Sequence, residues 1–122
     1  MKKIVFVFIG VMLLMCGCSN KVEVIKINKE EAVQYIEEGA LLIDVRSESE
    51  FDTGHIEGAI NIDVDYILEI DDDLTYGNMT IGKARKIIVY CRSGSRSNTA
   101  AERLVELGYT QVYDLGSMDN WA

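Results

Sequence analysis

The chain has 122 residues, 48% of them apolar, enough for one domain that builds its own core without disulfide staples. Twelve basic residues stand against 20 acidic ones, a formal charge of −8, which disfavours a nucleic-acid partner, since phosphate binding demands a basic patch. One histidine and three cysteines complete the chemically informative inventory.

Lys2 and Lys3 precede an almost unbroken apolar run from Ile4 to Met15, followed by Cys16-Gly17-Cys18. The run is shorter than the roughly 20 residues a membrane span needs, and it has no polar face, as an export signal has none. It resembles a bacterial lipoprotein signal, which implies that residues 1–17 are removed and that Cys18, preceded by the small Gly17, is lipidated. Met15 and Cys16 depart from that pattern, which favours Leu and a small residue. A diacylglyceryl group would anchor the protein to the outer side of the cytoplasmic membrane or in a periplasm. Loss of Lys2 and Lys3 leaves 10 basic residues against 20 acidic ones, and Cys91 becomes the one free thiol, with no intrachain disulfide.

Residues 18–21 read as a tether and 22–122 as the domain. Val22, Val24 and Ile25 or Ile27 predict a first strand. Asn28 and Glu31 form a capping-box pair for a helix running to about Glu38, stopped by Gly39. Leu41 to Val45 is a nearly continuous apolar run, the pattern of a strand covered on both faces. Ser47 and Glu50 make a second capping box for a short helix ending near Gly54. Ala59 to Ile62 reads as a short strand and Asp63 to Ile70 as a helix. Asp71 to Lys83, polar with two glycines, reads as the longest irregular segment; its acidic cluster (Glu69, Asp71, Asp72, Asp73) lacks the Gly and terminal Glu of a calcium loop, and no metal site is expected. Lys86 to Tyr90 is a central strand, Ser97 to Leu107 a helix closed by Gly108, Gln111 to Leu115 a last strand, and Gly116 to Trp121 a final turn. Strands alternating with helices imply an α/β fold with a mostly parallel sheet, whose ligands bind beyond the carboxyl ends of the strands.

Cys91-Arg92-Ser93-Gly94-Ser95-Arg96 lies between the central strand and its helix. A cysteine there meets the unpaired N–H groups and positive dipole end of a helix, with two guanidinium groups beside it, all of which favour the thiolate. Gly94 permits the turn that gathers several N–H groups into an anion cradle. The sequence predicts a nucleophilic sulfur presented at the rim of the sheet.

Two segments carry a family resemblance. Leu42 to Arg46, Glu50-Phe51, Gly54-His55-Ile56 and Gly58 to Ile62 form the first. Ile88 to Ser97, Ala100-Ala101, Leu104, Gly108-Tyr109, Val112 and Leu115-Gly116 form the second. Together they resemble the single-domain rhodanese (sulfurtransferase) family over roughly Val22 to Trp121. The resemblance implies a three-layer fold with a five-stranded, mostly parallel sheet between helices, and makes Cys91 the persulfide-forming nucleophile. Glu57 stands where the family commonly has Pro and Ser117 where it has a second Gly. The chain ends one residue after Trp121, so a short last helix is expected.

The function so implied is transfer of sulfane sulfur from an anionic donor such as thiosulfate to cyanide or a thiol. The sulfur is carried on Cys91 without a bound cofactor. Arg92, Ser93, Gly94, Ser95 and Arg96 form the loop that binds the donor, the two arginines docking it. Asp44 and Arg46 support the site: Arg46 is expected to pair with Glu50, and Asp44 to cap the loop backbone. His55 is expected in a structural turn. A non-catalytic persulfide carrier or redox-sensing module is the alternative. A cysteine phosphatase or arsenate reductase is disfavoured, because those relatives carry one more loop residue.

Overall fold

A computed structural model describes residues 23–122. The expected leader over residues 1–17, the lipidated Cys18 and the tether over 18–21 lie outside the described residues. The chain order is β1 (Ile25–Lys26), α1 (Lys29–Glu37), β2 (Leu41–Asp44), α2 (Glu48–Asp52), β3 (Ile60–Asn61) and α3 (Val64–Glu69). It continues through β4 (Leu74–Tyr76), β5 (Met79–Ile81), β6 (Ile87–Cys91), α4 (Ser95–Glu106), β7 (Val112–Ser117) and a 3₁₀ helix (Met118–Trp121).

Both capping boxes form. Asn28 Oδ1 accepts from the Glu31 N–H at 2.9 Å while Glu31 Oε1 accepts from the Asn28 N–H at 3.0 Å, fixing the start of α1. Ser47 and Glu50 repeat the arrangement at α2.

The five long-range strands lie in the order β1-β7-β6-β2-β3, every neighbouring pair parallel. Buried on both faces, β6 is apolar throughout, and its alternating side chains feed two cores. Ile87, Val89 and Cys91 join Ala100, Ala101 and Leu104 of α4 and Val64 and Ile67 of α3 on one face. Ile88 and Tyr90 join Ala32 of α1, Ile56, Leu115 and the partly buried Phe51 and Trp121 on the other. The result is the three-layer α/β arrangement expected. Between Val89 and Tyr90 the register against β7 slips: Val89 faces Asp114, but Tyr90 faces Gly116 and Cys91 faces Ser117. Leu115 is the extra residue of a bulge.

The segment 71–83, read as irregular, contains the antiparallel hairpin β4–β5. Its turn is Gly77-Asn78, with Gly77 at φ +60°, a two-residue connection whose backbone twist matches the strands. Leu74 and Ile81 face each other and are both buried in the α4-side core. Tyr109, itself fully buried, closes the hairpin's base: its hydroxyl accepts from the Leu74 N–H at 2.7 Å and donates to the Ile81 carbonyl.

Tyr109→Phe keeps the ring but leaves a buried N–H and a buried C=O without their partner. The expected loss is about 1–3 kcal/mol of unfolding free energy, measured as a lower urea midpoint at unchanged slope.

Candidate functional site

Cys91 is the last residue of β6, at the carboxyl edge of the sheet. Three residues later Gly94 forms the N-cap of α4 in the left-handed region (φ +105°), where a side chain would be strained. That turn brings two backbone donors onto the sulfur: Sγ accepts from the Gly94 N–H at 3.0 Å and the Ser97 N–H at 3.3 Å. The Ser97 hydroxyl donates to the Gly94 carbonyl at 3.1 Å, fastening the turn from within. The Ser117 hydroxyl, brought opposite Cys91 by the bulge, donates to the Arg92 carbonyl at 2.6 Å and accepts from the Asp119 N–H at 3.0 Å. Cys91 is fully buried, whereas the sequence suggested a sulfur standing open at the rim. The loop that supplies the N–H donors folds over the atom it serves.

Arg92 and Arg96 both turn to Glu50 on α2. Arg96 makes a two-pronged pair, Nη1 to Oε1 at 2.7 Å and Nη2 to Oε2 at 3.1 Å. Arg92 Nε lies 3.8 Å from Oε2, an ion pair beyond hydrogen-bond distance, and this side chain is 61% exposed. Glu50 is held in turn by its capping box, Oε1 accepting from the Ser47 N–H at 3.1 Å and hydroxyl at 3.0 Å. Arg96, then the Ser47 N–H, hold the Glu50 carboxyl far below the usual carboxylate range, and the same pair raises Arg96. Glu50 was expected to pair with Arg46; instead it belongs to the sulfur loop. Ser93 and Ser95 are exposed.

Arg46 pairs with Asp44, two residues before it. Both are buried; Nη2 reaches Oδ2 at 2.7 Å and Nε reaches Oδ1 at 3.0 Å. Arg46 Nη2 also donates to the Gly54 carbonyl at 2.7 Å, which pins the turn after α2. The Tyr90 hydroxyl donates to Asp44 Oδ2 at 2.9 Å and accepts from the Ile56 N–H at 3.0 Å. Burial pushes the Tyr90 hydroxyl up to about 12, and the hydrogen bond to Asp44 raises Arg46. Since Tyr90 and Cys91 project to opposite faces, this network lies across the sheet from the sulfur. Asp44 therefore caps the Arg46 N–H (2.9 Å) rather than the cysteine loop. The Asn61 amide fastens it to the edge strand, donating to the carbonyls of Asp44 at 3.0 Å and Arg46 at 2.9 Å.

His55 sits after α2, stacked on Phe51 with ring centroids 3.6 Å apart and Nδ1 2.9 Å from the Phe51 carbonyl. Ser117 stood out in the sequence only as a departure from the family's second glycine, and Tyr90 only as the end of the central strand; neither was read as part of the site. An acid inside an otherwise apolar strand does call for a buried partner, and Tyr90 lies directly across from Asp44 in the β2–β6 register.

A parallel α/β sheet whose central strand ends in a cysteine, with two N–H groups of the following turn and helix on its sulfur, defines the class of fold and site. The chain belongs to the rhodanese-like domain family, whose profile matches residues 28–122. It is 38% identical over 93 residues to a Schizosaccharomyces pombe protein named putative mitochondrial thiosulfate sulfurtransferase, covering 70% of this chain and 66% of that one. It is 31% identical over 101 residues to an Arabidopsis thaliana thiosulfate sulfurtransferase, covering 77% and 74%. It also matches tRNA uridine(34) hydroxylases, for example 35% identity over 79 residues in Bacillus mycoides, covering 65% of this chain but 24% of the relative's length. Among solved structures, a human single-domain sulfurtransferase superposes with a TM-score of 0.67 at 24% identity, covering 80% of this chain and 93% of that one, which shows the shared fold.

Arg46→Met strands the buried Asp44 carboxylate without its charge partner. The expected cost is about 3–5 kcal/mol, read from denaturant unfolding. A second expectation concerns acid. Because the folded Glu50 carboxyl is depressed, its stabilising contribution is complete above the unfolded value of about 4.3 and fades as pH falls through and below it. Thermal midpoints recorded against pH in that acid range should fall less steeply in Glu50→Gln than in the parent.

Proposed function

We propose that this protein is a sulfurtransferase that carries sulfane sulfur on Cys91. The observation that supports this reading most directly is the pair of N–H groups, from Gly94 and Ser97, aimed at Sγ. Donors so placed favour sulfur as thiolate and, after loading, stabilise negative charge on the outer sulfur.

With thiosulfate as donor, the Cys91 thiolate attacks the outer sulfur, a new S–S bond forms, the donor's S–S bond breaks, and sulfite departs with the bonding pair. The added sulfur sits about 2 Å beyond Sγ, which lifts the reactive atom from beneath the loop toward its mouth. A thiolate or cyanide then attacks that outer sulfur and Cys91 leaves as thiolate, ready for another cycle. The chemistry needs no bound cofactor. Four residues separate Cys91 from Arg96, a tighter loop than in the related cysteine phosphatases, and this favours sulfane sulfur over a tetrahedral oxyanion. The acidic surface disfavours a tRNA partner.

The proposal extends to location. The basic start, the apolar run Ile4 to Met15 and the Gly17-Cys18 pair support export, lipidation at Cys18 and tethering outside the cytoplasmic membrane.

Cys91→Ser removes the nucleophile with little change in volume. Thiosulfate:cyanide transfer should fall to background while circular dichroism stays that of the parent, and mass spectrometry of the parent after donor treatment should show one added sulfur on Cys91. Transfer persisting in Cys91→Ser overturns the reading.

A further inference from the structure

The Glu50 carboxylate occupies a position that sulfur transfer alone does not require. It is negatively charged, it touches both arginines of the sulfur loop, and α2 holds it there through Ser47. Arg96 is taken up in a two-pronged pair, while Arg92 keeps 61% of its side chain exposed and meets Glu50 only at 3.8 Å. The three side chains thus leave the mouth of the loop with a single net positive charge. The whole chain, these three side chains included, carries a formal charge of −8, so a negative field surrounds that mouth.

We propose that Glu50 is a specificity-determining residue that meters the charge of the sulfur loop, cutting the electrostatic advantage of dianions such as thiosulfate and so shifting the site's preference toward less charged persulfide donors, the monoanion R–S–S⁻ or neutral R–S–SH. The inference rests on the sulfurtransferase reading and deepens it. Coulomb attraction scales with the charge of the ligand. A dianion gains twice as much as a monoanion from a free guanidinium, and it also loses twice as much to Glu50 and to the acidic surface. Glu50 therefore costs a dianion twice the attraction that it costs a singly charged persulfide. The persulfide's reaction balances without an added oxidant or reductant: the Cys91 thiolate bonds to the outer sulfur, the donor's S–S bond breaks, R–S⁻ leaves with the electron pair, and any proton on the outer sulfur stays with it. Arg92, the less engaged cation, is the group that meets the incoming charge. Arg96 and Glu50 set the loop's shape and its electrostatic ceiling.

Glu50→Gln tests this with the shape retained, because glutamine also serves at the third position of a capping box and can accept from Arg96. Glu48→Gln, at an exposed position on the same helix, removes the same overall charge without touching the loop. The full-length protein is titrated at low ionic strength with sulfate and with nitrate, following the Gly94 and Ser97 amide resonances, and the parent and both variants are compared. In Glu50→Gln, sulfate is expected to bind up to about tenfold more tightly and nitrate by roughly the square root of that factor, about threefold, with both gains erased by added salt. Glu48→Gln should match the parent. In the activity arm, the ratio of kcat/KM for thiosulfate to that for 2-hydroxyethyl persulfide should rise several-fold in Glu50→Gln alone. Sulfate affinity unchanged or weakened in Glu50→Gln, or an equal gain in Glu48→Gln, overturns the proposal. If neither donor loads Cys91 of the parent, the sulfurtransferase reading falls, while the sulfate titration still decides the role of Glu50.

Discussion

The two N–H···S contacts on Cys91 organise this end of the molecule, and nearly every unusual backbone feature around them serves to aim those donors. A polar atom buried among apolar side chains is costly without hydrogen-bond partners. Backbone N–H groups supply those partners without side-chain entropy. The Gly94 amide reaches Sγ because the residue adopts a positive φ, and the Ser97 amide reaches it because α4 starts one residue later.

The sheet separates two tasks by face. Cys91 points toward α4, into a core of apolar side chains, with the Gly94 and Ser97 amides on its sulfur. Its neighbour Tyr90 points the other way, into the Asp44–Arg46 pair. A buried ion pair gives modest net stability, because desolvation consumes most of the attraction, yet breaking one half of it is severe. What it supplies here is geometry: one guanidinium and one carboxylate fix the Gly54 carbonyl, the Arg46 amide and the Tyr90 hydroxyl at once. The end of β6 is therefore rigid on the side away from the chemistry, and the loop can be shaped on the other. His55, stacked on Phe51, belongs to the turn this network pins.

Local signals were legible wherever the chain's own chemistry decides the outcome. Asn28–Glu31 and Ser47–Glu50 are reciprocal caps in sequence and in structure. The apolar runs at Leu41 and Ile87 became the two central buried strands, and the cysteine loop falls where the strand-to-helix transition was read. Three features escaped because tertiary context decides them. The hairpin at Leu74–Ile81 has only two inward residues, too few for a period, although Gly77-Asn78 between Tyr76 and Met79 was its available signal. Glu50 lies as near in sequence to Arg46 as capping geometry allows, yet its partner comes from 46 residues away. The full burial of Cys91 depends on how tightly the loop closes, which residue types alone do not specify.

Ser117 shows how a one-residue slip can be put to use. Without the bulge at Leu115, Cys91 would lie beside Gly116, whose lack of a side chain offers the loop nothing. The slip sets Ser117 there instead, and its hydroxyl takes the Arg92 carbonyl at 2.6 Å. In a trans peptide the C=O and the following N–H point in opposite directions, so holding the Arg92 carbonyl toward β7 turns the Ser93 N–H away from it. The same hydroxyl accepts from Asp119 and so starts the terminal 3₁₀ turn. Gly116, at φ +84° with the Asn120 amide 3.3 Å from where a Cβ would stand, makes the bend that lets Ser117 do both. A serine at this position thus links three things that a second glycine would leave independent: the register of β7, the orientation of the loop's first peptide, and the docking of the chain's last turn.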